Sequence, residues 1–125
     1  MNRSASALLL LAVAALAGAQ ASPEDKKVEA EKKKLAKLEK SYKETKAAYL
    51  KLKTDEPKKK AYVAATVKLA TATMHSPILG AKVKYPKALR LYREALTIDP
   101  HNKEAAGNKQ LIVDIYKQMG REIPK

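Results

Sequence analysis

Proline divides most of this chain into stretches that read as helices, and the division is uneven. After Pro23 no helix breaker occurs until Pro57, and the residues between are mostly Lys, Glu, Ala and Leu, all strong helix formers. Ser22 stands where an N-cap belongs, Pro23 takes the first helical position, and the acidic Asp25 follows in the first turn. Pro23 to about Lys53 therefore reads as one helix roughly 45 Å long. Val28, Leu35, Leu38, Tyr42, Tyr49 and Leu52 recur at helical spacing and form one stripe, interrupted by Glu31 and Thr45. The other faces are rich in lysine, with Glu29/Lys33 and Glu39/Lys43 in the acid-first order that supports an exposed helix.

Three shorter helices follow. Pro57 to Met74 is rich in Ala and β-branched residues, and its small side chains predict burial on more than one side. Pro77 and Gly80 then interrupt, so residues 75–84 read as a loop, with Ile78, Leu79 and Val83 expected to tuck it onto the core. A third helix is expected to start near Pro86 and end at Asp99-Pro100. Asn102 can cap a fourth, from about Lys103 to Met119, closed by Gly120. The pattern is all-α: antiparallel helical hairpins with a long N-terminal helix over residues 22–56, a hairpin over 57–101, and a capping helix and tail over 102–125.

Ahead of the first helix, Arg3, the apolar run from Ala7 to Gly18 and the small residues of Ala19-Gln20-Ala21 have the layout of a secretory signal peptide. Residues 1–21 are expected to be removed, giving an exported chain, periplasmic or secreted, that begins at Ser22. With no cysteine there is no thiol chemistry and no lipid-anchored lipoprotein route.

The chain also repeats. Tyr42, Thr45, Tyr49, Leu52 and Pro57 are matched by Tyr85, Ala88, Tyr92, Ala95 and Pro100, each pair with the same spacing. The segment YPKALRLYREALTIDP, from Tyr85 to Pro100, with His101 to Ala105 after it, resembles the second helix and exit turn of a tetratricopeptide repeat. The resemblance implies an α-solenoid fragment. Tyr85 would be the aromatic near the start of that helix, Ala88 the small residue at a tight helix crossing, and Tyr92 the aromatic packed between repeats. Ala95 would be a second small position, and Pro100 would end the helix. Tyr62, Ala65 and Leu69 can be laid on first-helix positions, although Ala65-Thr66 stands where the family has Leu-Gly. The period exceeds the family's ~34 residues, and the surplus falls in the loop at 75–84.

Chemistry is hard to find. His75 and His101 both lie in loops, the glycines are scattered, and no carboxylates are paired for acid–base work. No enzyme activity, cofactor or metal is expected. The formal charge of +13 suits acidic partners. A chain without Trp or Phe, and with far more Lys than Arg, is poorly equipped for specific nucleic-acid recognition. The expected function is therefore a protein–protein scaffold or adaptor module, binding another protein or a peptide. By the resemblance, the exposed faces of Tyr62 to Met74 and Glu104 to Gln118 would line its groove, with Lys68 and Lys109 as positive contacts. Two alternatives follow from the first helix: a polyanion or membrane-surface binder acting through its lysines, and a homo-oligomer built on Val28, Leu35 and Leu38.

Overall fold

The computed structural model describes residues 20–125, so the apolar leader expected before Ala21 lies almost wholly outside the described residues. Among the described residues there are four helices and no strand: α1 (Pro23–Lys51), α2 (Glu56–Met74), α3 (Ala81–Ile98) and α4 (Lys103–Gln118). Successive helices pack as antiparallel hairpins. Tyr92 of α3 thus reaches both Thr71 of α2 and Asn108 of α4, while Glu39 and Lys46 of α1 reach Lys87 and Glu94 of the parallel α3. No described helix is long and apolar enough to cross a membrane.

The helix ends follow local rules. Ser22 Oγ accepts the Asp25 N–H while the Asp25 carboxylate accepts the Ser22 N–H, a complete capping box. Asp55 and Asn102 cap α2 and α4 in the same way, through the N–H groups of Lys58 and Ala105. At the far end of α4, Gly120 takes a φ of 64°, the left-handed conformation that a side chain disfavours. The Arg121 N–H then reaches the Tyr116 carbonyl and the Gly120 N–H the Lys117 carbonyl, which satisfies the last turn.

Two boundaries differ from the sequence reading. The loop after α2 spans only 75–80, because α3 begins at Ala81 and carries Pro86 inside it. The Gly80 carbonyl nucleates that start by accepting the Val83 and Lys84 N–H groups. A proline one turn further on deprives only the Lys82 carbonyl of its helical partner, and Lys82 is exposed to water. The loop is also held differently. Val83 is 56 % exposed, Ile78 and Leu79 are half-buried, and the residue sunk into the core is Ser76. Secondly, α1 stops at Lys51, so Leu52 leaves the stripe and stands exposed.

The core belongs to α2, α3 and α4. Leu69 and Ala70 from α2, Ala88, Leu89, Tyr92 and Ala95 from α3, and Ala105 and Ile112 from α4 are all buried. Ala88 and Ala95 let α3 approach its neighbours closely, and α2 is buried toward more than one partner, as its composition predicts. Tyr85, by contrast, is only half-buried, at the edge of this cluster. α1 differs in kind: none of its residues is fully buried, and it meets the core through Leu38, Tyr42 and Tyr49, the last stacked on the buried Tyr62.

Tyr92 is completely enclosed, so Tyr92→Ala should cost about 3–5 kcal/mol by the cavity it leaves. Thermal unfolding of the variant checks this. An unchanged Tm would mean that the α2–α4 core is not built around that ring.

Candidate interaction groove

α2 is the one helix whose backbone packs on all three others, and a strip of it is left uncovered between α1 and α4. That strip carries Ala61, Ala64, Ala65, Lys68 and Ala72. On one side α1 raises a wall of Lys34, Lys37, Leu38, Ser41 and Thr45, and on the other stands the start of α4, Asn102 and Glu104. Together they enclose an open groove of about 1290 Å³. Alanine forms most of the floor, interrupted by Lys68, and the walls carry the other charges. Lys34, Lys37 and Lys68 are its cations, against the single carboxylate of Glu104, which accepts a hydrogen bond from Thr71 Oγ1 at 3.0 Å.

Of the two lysines picked out in sequence, the structure brings Lys68 into this groove. Lys109 is half-buried and is not among the lining residues. Helical phase explains the difference. Glu104 lines the groove, and Gly107 and Leu111 follow it on the same side of α4, whereas Lys109 is turned away from that line. Leu111, 48 % exposed, is the apolar group on this side of α4. The repeat-signature residues Ala88, Tyr92 and Ala95 sit behind the groove in the core, and Pro100 is an exposed residue of the α3–α4 turn.

The adjacent face of α1, about a quarter turn round from the groove wall, meets α2 and α3 and is fastened partly by polar contacts that sequence spacing did not reveal. Glu94 accepts Tyr42 Oη at 2.5 Å and Lys46 Nζ at 2.6 Å. Glu39 pairs with Lys87 at 3.0 Å rather than with Lys43, and Glu29 pairs with Lys32 rather than Lys33. The Tyr49 ring stacks on that of Tyr62, with centroids 5.2 Å apart. Partial burial alone would raise the Glu94 pKa, but donors on Lys46 and Tyr42, with Tyr62 close by, bring it below the ordinary glutamate value. The Lys46 ammonium is pushed up, first by its bond to Glu94 and then by Tyr42.

Three phenols are also shifted. Burial first, then Glu94, raises Tyr42 and drives Tyr62 far up, while burial raises Tyr92 against the opposing bonds from Thr71 and Asn108. Comparison with known proteins adds no family: no family model, curated protein or solved structure matches this chain.

Two tests follow. A Cβ built at Gly107 meets nothing, so Gly107→Ala should stabilise α4 by about 0.5–1 kcal/mol, read as a rise in Tm. A fall would mean that the backbone there is less open than it stands. The second test is alkaline titration followed by phenolate absorbance. Tyr42, Tyr62 and Tyr92 have folded pKa values above the unfolded 10.0, so their contribution is whole below that pH and lost as pH rises through the folded values. The native curve should lag the denatured one, and coincident curves would contradict the burial of these rings.

Proposed function

We propose that this chain is an exported, non-enzymatic interaction module of tetratricopeptide type, which receives a segment of another protein in the groove between α1, α2 and α4. The observation that carries the reading is the groove: α1 and the start of α4 flank a strip of α2 in which alanines predominate and Lys68 is the one long side chain. Small residues let a docked helix or peptide backbone approach closely, and the lysines on the rims favour acidic residues flanking the contact. The burial of Ala88, Tyr92 and Ala95 in α3 fits the roles that the resemblance gives them.

Export rests on the leader at 1–21. Cleavage after Ala21 would leave the α1 cap whole, since every group in the capping box belongs to Ser22 or Asp25. The freed α-ammonium would then face the Asp25 carboxylate, so processing at this bond costs the fold nothing that it uses.

A second reading is favoured by the outer face of α1. Lys26, Lys33 and Lys40 all stand exposed along it, a row suited to a polyanion or an anionic membrane surface. Salt separates the two. Binding through many lysines falls steeply with ionic strength, whereas apolar docking over alanines persists.

The deciding experiment is capture from the native cell envelope with the chain starting at Ser22, washed at low and then at high salt, beside a Lys68→Glu variant. A defined protein kept at high salt by the wild type and lost by the variant supports the groove. Recovery only of lipid or polyanion, shed at high salt and unaffected by Lys68→Glu, moves the function to the α1 lysines. Intact mass of the exported chain tests processing, with Ser22 expected at its N-terminus.

A further inference from the structure

We infer that α1 is a releasable wall, held against the α2–α4 core by a polar clasp of Tyr42, Lys46 and Glu94, seconded by Glu39 and Lys87. Burial sets α1 apart from the other helices, although its Tyr42 and Tyr49 rings cover the buried Tyr62 of α2. Every fully buried side chain among the described residues lies outside α1, on α2, α3, α4 or the α2–α3 loop, and the two hydroxyl links of Tyr92 join α2 to α4 through α3. α1 adds half-buried groups only, and its backbone packs on α2 alone. What reaches α3 from α1 is polar: Tyr42 and Lys46 to Glu94, and Glu39 to Lys87.

Polar fastening gives α1 a different response from the rest of the fold. The apolar core of α2–α4 is indifferent to a single proton, whereas the clasp turns on one carboxylate. Glu94 is faced by Tyr42 and Lys46 from α1 and by Tyr62 from α2. On α3 itself Lys87 is engaged by Glu39, and Arg93 is turned to the Pro124 carbonyl. α4 gives Glu94 neither a hydrogen bond nor an ion pair among the described residues.

Protonating Glu94 removes the ion pair and leaves Tyr42 with a neutral acceptor. Its folded pKa lies below the unfolded one, so the clasp is whole above the unfolded value and is lost as pH falls through the folded value. Salt acts in the same direction, because Lys46 and Lys87 are both partly open to solvent. α1 also forms the Lys34–Thr45 wall of the groove, so opening the clasp would dismantle one side of it. That consequence rests on the proposed function, but the opening itself does not.

The test is amide hydrogen exchange by mass spectrometry on the purified protein at neutral pH, comparing wild type with Glu94→Gln at low and raised ionic strength. Amides of α1 in the wild type should exchange ahead of those in α2–α4. Glu94→Gln should speed α1 exchange by about tenfold, as expected for losing a charge-assisted hydrogen bond. Leu89 to Ala95 and Ile112 to Tyr116 should be unchanged. Glu39→Gln should add a smaller increase, and raised salt should speed α1 in the wild type more than in Glu94→Gln. Equal acceleration in all four helices, or none in α1, would overturn the inference. No readout needs a groove ligand, so failure here leaves the proposed function standing, and a failed capture experiment leaves the clasp standing.

Discussion

The side chain of Tyr92 is the constraint on which the rest of this structure depends. Its ring is completely enclosed, and its hydroxyl lies 2.9 Å from Thr71 Oγ1 and 3.0 Å from Asn108 Nδ2, with the Met74 sulfur at 3.8 Å. One residue of α3 therefore fixes the distances of both α2 and α4. A buried phenol needs partners for its oxygen, and supplying them from two different helices sets their rotation as well as their separation. The alanines on either side, Ala88 and Ala95, have no bulk to resist that approach, so the ring rather than its neighbours determines the gap. With α2 and α4 placed in this way, the strip of α2 between them is left facing solvent, and the groove follows.

α1 is attached on a different principle, and the contrast explains the distribution of charge. A helix that buries nothing completely must be held by its half-buried side, and here that side mixes Leu38, Tyr42 and Tyr49 with Glu39 and Lys46. Partly exposed ion pairs contribute modestly one at a time. The Glu94 group does more because one carboxylate collects a phenol and an ammonium in a setting that is shielded on one side. Lysines elsewhere on α1 point to water, where their mutual repulsion is spread along a helix about 44 Å long.

Helix identity and most helix ends were legible in the sequence because they are decided within four or five residues. Ser22 with Asp25, Asn102 and Gly120 each act on their own turn, and each does in space what its type and position imply. The burial of Ala88, Tyr92 and Ala95 agrees with the positions that the resemblance gives them. Partners chosen across helices were not legible. Glu39 has an equally well-spaced lysine on its own helix, and only the position of α3 makes Lys87 the better one. Pro86 read as a helix start because prolines favour first turns, but the Gly80 carbonyl begins α3 earlier, and an exposed first turn tolerates the missing donor. Of the two lysines expected at a partner face, Lys68 lines the groove and Lys109 does not, because the packing of α4 turns the line of Glu104 toward the groove, and sequence spacing alone does not say which line faces it.

The alanines of the groove floor invite a simpler explanation, since alanine is the best helix former and needs no other reason to occupy an exposed position. What separates the two accounts is where the other exposed positions of the same helix went. Lys58 and Lys60 stand exposed on α2 outside the groove, and Lys68 alone interrupts the alanines within it, so this helix does not avoid long polar side chains in general. It lacks them along most of the line where α1 and α4 rise on either side, and there a lysine or glutamate would lie across the recess and fill it. Propensity accounts for alanine at any one of these sites. It does not account for alanine being gathered at the bottom of a concave surface while most of the charged groups stand at its edges. Keeping that space open does account for it, and it ties the composition of α2 to the walls supplied by its neighbours.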